Sequence, residues 1–436
     1  MKARHLAALT LIACAPLPAL AADLGTNCCA DLEERIAELE ATTARKGNRK
    51  VSLTVSGHLH SAVMYWDDGR EDNVYVVGND AYDQTSLHFD GNARIDKDWS
   101  AGFLLTLRLN SSLAGEVSQS DDDVAGDPIT LWEAFWFLDH KTLGRVSIGQ
   151  ASRASDGVPE TDLSGSQPAA YPGIQSLGGG LSLRRTDGTL TGLTYGDLYN
   201  HFNGDTANLI RYETQSIAGF TFVATYGEDD IWDTAINYEG SHAGFEFAGA
   251  IAYSQLTDRG GLFGDDEALD SQVIVGSAGL LHKPTGLSAL VSAGQQSFDE
   301  AVTDADGQLR TPEDARFIYA KLGLTTRLSS LGSTSFYGEF GYFKNYASAG
   351  TDADTVASLA AAGICATPGN CRLAGTQSEV WGLGFAQNID QAAMTIYLGY
   401  RYHDTETDLA DTQDNRLAGQ PIDNLQTLVF GTLIEF

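Results

Sequence analysis

From Val51 to Phe436 the chain repeats one pattern, in which apolar and polar side chains take turns along runs long enough to form strands. Alternation with period two gives a strand one apolar and one polar face. Val51, Leu53, Val55, Leu59, Val63 and Tyr65 alternate with Ser52, Thr54, Ser56, His58 and His60. Further runs lie at 82–95, 99–111, 129–138, 144–150, 206–214, 219–227, 231–239 and 244–256. The series continues at 271–282, 286–298, 314–328, 333–347, 376–387, 391–405 and 421–436, which makes sixteen strands. Their connections alternate as well. Asp96-Lys97-Asp98, 139–143, 215–218, 240–243, 283–285, 329–332 and 388–390 are short. The set 67–81, 112–128, 151–205, 257–270, 299–313, 348–375 and 406–420 is long and mostly acidic, and only Glu228-Asp229-Asp230 departs from the rule. A transmembrane barrel has this asymmetry, with tight turns at one rim and long loops at the other.

The faces point the same way. Phe103, Leu105, Leu107 and Leu109 share one face with no charge, as do Phe245, Phe247, Ile251 and Tyr253, and Met394, Ile396, Leu398 and Tyr400. The opposite faces carry Thr106, Arg108, Asp233, Asn237, Glu239, Thr395, Tyr397, Arg401 and His403. An apolar outside around a polar inside inverts a soluble barrel. Tyr65, Trp66, Trp99, Tyr226, Trp232 and Tyr402 sit at strand ends, as interfacial girdles do. In the last strand Leu428, Phe430, Thr432, Ile434 and Phe436 form one row, so the chain ends on a lipid-facing aromatic. The fold expected is all-β: a transmembrane antiparallel barrel of sixteen strands, or eighteen if 181–195 adds a pair.

Charge limits the partners. The chain has 27 Lys and Arg against 58 Asp and Glu, a net charge of −31, which argues against nucleic acid. Lys2 and Arg4, the apolar run from Leu6 to Leu20 and Ala19-Leu20-Ala21 form a secretion signal over 1–21. Leu11-Ile12-Ala13-Cys14 is a rival lipoprotein box, but the apolar run continues past Cys14. Losing 1–21 removes two cations and no acid, leaving −33. Residues 22–50 hold a short helix and linker. Leu32, Ile36, Leu39 and Thr43 make a seam, too short to hold a coiled coil alone but able to register chains already associated, or else a solvated spacer. Residues 51–436 form the barrel. Cys365 and Cys371 flank a Pro-Gly turn and are expected to pair in an oxidising compartment.

The chain from Ala22 resembles the outer-membrane porins of alphaproteobacteria, of the rhizobial kind. The resemblance is carried by Cys28-Cys29-Ala30-Asp31-Leu32-Glu33-Glu34-Arg35, by Arg45-Lys46-Gly47-Asn48-Arg49-Lys50-Val51, by the hairpin from Arg211-Tyr212-Glu213 to Gly219-Phe220, and by Phe436. It implies a trimer of sixteen-stranded barrels, a third long loop folded into the lumen, and a terminal aromatic read by the assembly machinery. Outer-membrane lipid, lipopolysaccharide and small hydrophilic solutes and ions are the other expected partners.

The loop 151–205 is the expected constriction, since structureless segments of such length usually serve function. Its acids Asp156, Glu160 and Asp162 are expected at the pore, facing wall cations Arg94, Arg108, Arg211, Lys321 and Arg401, which alternation places inward. His58, His60 and His88 share the lumen side, yet no serine or aspartate is set with them in sequence for acyl transfer. No catalytic group, metal or cofactor is expected. The expected role is passive diffusion through a water-filled channel. The alternatives are a substrate-selective channel of the same fold, a barrel enzyme, or a structural protein gripping the cell wall.

Overall fold

The computed structural model describes residues 50–79, 84–109, 112–123, 128–257, 270–298, 302–303, 309–349, 372–410, 415–417 and 421–436. The signal, the helix 30–43, Cys28, Cys29, Cys365 and Cys371 lie outside them.

Sixteen strands form the wall. They are β1 (Ser52–Asp67), β2 (Ser86–Arg94), β3 (Trp99–Leu109), β4 (Ile129–His140), β5 (Gly144–Ser152), β6 (Thr206–Glu213), β7 (Phe220–Gly227) and β8 (Trp232–His242). The ring continues through β9 (Phe245–Leu256), β10 (Ser271–His282), β11 (Leu287–Phe298), β12 (Ala315–Ser329), β13 (Gly332–Lys344), β14 (Arg372–Ile389), β15 (Met394–Ala410) and β16 (Leu425–Glu435). Each pairs antiparallel with the next, and β16 pairs with β1 from His58↔Glu435 to Asp67↔Gln426. At the seam Gly57 and Phe436 exchange backbone hydrogen bonds of 3.0 and 2.9 Å. Pairing of the first wall strand with the last leaves neither with an open edge at the seam, which suits hydrocarbon, where an unpaired amide has no water to turn to. No described helix is long and apolar enough to cross a membrane.

The first long connection, expected over 67–81, is instead a tight turn. Asp68 Oδ1 accepts the amides of Arg70 and Glu71, and Asp72–Gly78 then runs back beside the outer half of β1. The Asp-Asp-Gly-Arg-Glu turn lies before Asn73-Val74-Tyr75-Val76-Val77, whose alternation is too brief to stand out in the sequence. β14 and β15 likewise extend past their expected outer ends and shorten the loops there.

Outward faces are apolar. Leu59, Ile251 and Phe430 are about half exposed and Leu322 is 70% exposed, an arrangement that costs free energy in water and none in lipid. Trp99, Tyr226 and Trp232 are outward, whereas Trp66 is 1% exposed and packs inside against Tyr75, 5.8 Å between rings. Trp66 therefore belongs to the interior and not to the girdle.

The inner wall departs from the simple polar expectation. The β2–β5 sector presents Ser86, His88, Thr106, Glu133 and Ser152. The sector from β7 round to β16 presents buried apolar groups, among them Val223, Val275, Leu290, Phe317, Val380 and Val429. Those groups are covered by the connection between β5 and β6, so an inward apolar residue marks where the loop lies.

Gly57 sits where the seam is tightest. A Cβ there would stand 2.4 Å from the Ser86 carbonyl and 2.9 Å from the Phe436 ring. Because the carbonyl belongs to the β1–β2 ladder it cannot swing away. Gly57→Val is expected to lower the temperature at which the folded band converts to the unfolded one on gels by several degrees, a loss of about 1–3 kcal/mol. Unchanged heat modifiability would mean that the seam adjusts freely.

Candidate functional site in the barrel lumen

The connection 153–205 turns into the lumen and folds there. It holds single 3-10 turns at Val158–Glu160, Ile174–Ser176 and Gly196–Leu198, and a ribbon of Ser182–Arg184 with Leu190–Thr194. Strands do form within 181–195, as its alternation suggested, but they pair with each other and stay out of the wall. Ile174, Leu181, Leu183 and Leu198 are almost fully buried against the apolar inner sector. Each such side chain contributes about 1.5–3 kcal/mol to seating the loop. The Gly178-Gly179-Gly180 run is explained by close packing. A Cβ on Gly179 or Gly180 would stand 2.2 Å from the Gln175 carbonyl or 2.3 Å from the Glu116 carbonyl, so the triplet lets residues 112–123 press against the loop.

Buried ion pairs hold the loop at three places. At its start Arg153 Nε lies 3.4 Å from Asp233, which also accepts the Ala154 and Ser155 amides at 3.2 and 2.9 Å. Midway, Lys321 Nζ meets Asp162 at 2.6 Å and donates to the Ala170 carbonyl at 2.6 Å and Ser166 Oγ at 3.1 Å. At the outer end Arg184 bridges Asp68 (2.8 Å) and Glu71 (2.9 Å) of the first turn. Burial works against the Asp68 carboxylate, but the Glu71 amide, Arg184 and the Arg70 amide outweigh it and hold its pKa below the ordinary value.

The predicted site residues separate accordingly. Asp162 and Lys321 are locked together beneath the loop, 9% and 2% exposed. Arg401 pairs with Glu339 at 2.8 Å and reaches the Tyr171 carbonyl at 3.4 Å, so it too supports the loop. Arg211 donates to the carbonyls of Ser152 and Arg153 and pairs with Glu213 at 3.0 Å. Arg94 bonds the Asp96 carbonyl at the short turn after β2. Of the five cations expected along the pore, Arg108 is the one that lines the polar cavity, with its guanidinium 3.2 Å over the Trp132 ring.

That cavity, about 710 Å³, lies between the β1–β5 wall and the loop. The wall supplies His58, His88, Arg108, Trp132 and Glu133, and the loop supplies Asp156, Glu160, His201, Asn203 and Asp205. Burial raises the Asp156 carboxyl above the usual range; Ser152 lowers it, Glu160 raises it and Asn203 lowers it by lesser amounts. Glu160 is bonded to His201 Nε2 at 2.7 Å.

Glu133, Asp205 and His201 escaped the sequence reading. Parity with the outward Ile129 and Leu131 would put Glu133 outward too, but an extra residue at Trp132, opposite Thr106 and Leu107, turns it inward, and the two loop residues follow no period. The wall also carries a chain of hydrogen bonds across strands. Ser86 Oγ is 3.3 Å from His58 Nε2 and 2.8 Å from His88 Nε2. His88 Nδ1 is 3.1 Å from Thr106 Oγ1, which donates to Glu133 at 3.2 Å, and Ser152 Oγ donates to the other Glu133 oxygen at 3.2 Å. Ser86 thus stands with His88, a neighbour the sequence did not reveal, but the carboxylate is one hydroxyl away and the serine is shared between two imidazoles. His60 is apart from them, fully buried and bonded to the Tyr397 hydroxyl at 2.8 Å. Among the described residues no group of His, Cys, Asp and Glu is placed to hold a metal.

A lipid-faced sixteen-strand barrel with a polar, charged lumen narrowed by its own loop is an outer-membrane porin channel. The family model for Gram-negative porin matches residues 8–419, and the chain belongs to that family. No match is found among curated protein sequences. The fold is similar to OmpT of Vibrio cholerae, with a TM-score of 0.52 at 12% identity over 90% of this chain and 99% of that one. The trimer form of that protein gives 0.52 at 14% identity, covering 88% and 99%. The anion-selective porin of Comamonas acidovorans gives 0.53 at 15% identity, covering 88% of this chain and all of that one.

Lys321→Met would leave Asp162 buried without its cation, at a cost of about 3–5 kcal/mol. The loop, not the wall, should absorb that cost. Single-channel conductance is expected to rise and become noisy while the barrel stays heat-modifiable. Adding Asp162→Asn should recover part of the effect, because neither partner is then a lone buried charge. A quiet channel of normal conductance in the Lys321 variant would show that the pair does not anchor the loop.

Proposed function

We propose that the channel carries small hydrophilic solutes and ions passively, down their gradients, with no reaction, cofactor or energy coupling. The carrying observation is the polar cavity of about 710 Å³ between loop and wall, with both faces charged. Water and hydrated ions pass where polar groups replace lost hydration, and charges at a narrowing act on ions at short range with little screening.

Within the porin family we place the chain with the rhizobial alphaproteobacterial members, on Cys28 to Arg35, the Arg45–Val51 linker and the terminal Phe436. The working form is proposed as a homotrimer, supported by the trimer form of the similarly folded OmpT. Removal of 1–21, registry of three chains by 22–50, recognition of Phe436 by the assembly machinery and contact with lipopolysaccharide belong to the same reading. So does pairing of Cys365 with Cys371.

Of the loop acids expected at the pore, Asp156 and Glu160 line the cavity, and with Glu133 and Asp205 they outnumber Arg108. The channel is therefore proposed to prefer cations. Asp156→Asn with Glu160→Gln should lower the cation-to-anion permeability ratio roughly two-fold. The readout is the zero-current potential in a salt gradient across planar bilayers. A barrel that gives no ohmic steps would sink the channel reading; steps with an unmoved potential would sink the loop assignment alone.

A further inference from the structure

We propose that His58 and His88 are specificity-determining residues that make the ion preference of this lumen depend on pH. The proposal rests on the channel reading above and goes beyond it.

The donors and acceptors assign the protons. His58 Nε2 lies 2.6 Å from the Gln84 carbonyl, which can only accept, so Nε2 carries the hydrogen and Nδ1 is the basic nitrogen. On His88 the proton is fixed from the carboxylate inward. Thr106 spends its hydroxyl hydrogen on Glu133, so its oxygen accepts from His88 Nδ1, and Nε2 is left to accept from Ser86. When His88 takes a second proton at Nε2, the Ser86 hydroxyl rotates and accepts instead of donating. The two rings lie 5.7 Å apart and share Ser86.

The surrounding charges give the sign. The cavity holds Glu133, Asp156, Glu160 and Asp205 against Arg108. His58 is also in register with Glu435 on β16, and Asp90 follows His88 on the same face of β2. His201 faces the wall from the loop, bonded to Glu160. With neutral imidazoles the cavity has one cation against four acids. With both wall histidines charged it has three. Imidazole is the side chain whose charge ordinarily changes between pH 5 and 8. Acidification therefore adds positive charge to the wall opposite the loop acids, and the raised Asp156 carboxyl works in the same direction by losing its charge early.

The test is the zero-current potential of the full-length channel in a potassium chloride gradient at about pH 8 and about pH 5.5, a range chosen to span imidazole titration. The wild type should lose its cation preference several-fold at the lower pH. His58→Gln with His88→Gln should keep most of it there. If the pair does not fold, each single replacement serves, and each should remove part of the pH response. A wild-type potential that stays put with pH would overturn the proposal while the conductance steps leave the channel reading standing. An equal fall in wild type and variant would assign the response to the carboxylates and overturn it too. Absence of steps at either pH would remove the channel reading and this inference with it.

Discussion

Hydrocarbon offers a backbone amide nothing to bond, and the rest of this molecule follows from that constraint. Every strand must be paired on both edges, so the sheet closes between β16 and β1, and the last residue of the chain bonds back to Gly57. Closure at sixteen strands leaves an interior too wide for wall side chains to fill. Something must occupy that space or it stays water. In this chain a long connection occupies part of it, and the remainder is the cavity.

The loop is held in the lumen by two kinds of force that divide the labour. Apolar burial of Ile174, Leu181, Leu183 and Leu198 supplies the larger but non-directional part. The buried pairs Arg153–Asp233, Lys321–Asp162 and Arg184–Asp68 supply position, since each is satisfied in one seating only. A buried pair contributes little net stability against a well-packed apolar substitute, yet removing one partner is costly. Such pairs are therefore better regarded as pins than as glue. The seating commits the β7–β16 side of the lumen to packing and leaves the β1–β5 side open to water.

This division explains why the inward cations do different work. Alternation brings Arg108, Arg211, Lys321 and Arg401 to the interior without saying what will face them. Lys321 and Arg401 lie under the loop and become its supports; Arg108 lies beyond its edge and meets the cavity. The same holds for the acids. Asp156 and Asp162 are six residues apart in the chain, yet one lines the cavity and the other is sealed beneath the loop.

What the amino-acid order determined by itself is whatever repeats locally. Period-two alternation specified the strands, their lipid face and the sixteen-fold ring, because each strand's two faces meet different solvents whichever neighbours it has. The sorting of connection lengths specified the two rims, although Asp68 to Glu71 turned tighter than its surroundings suggested. The length of 153–205 marked the segment that fills the lumen. What only the tertiary structure decided is which inward residues touch water. That depends on where an aperiodic loop comes to rest and on neighbours far apart in sequence, such as Ser86 with His58 and His88, Thr106 with Glu133, and Lys321 with Asp162. Those contacts are settled by the joint packing of the loop on one sector of the wall, and no local period in the chain encodes them.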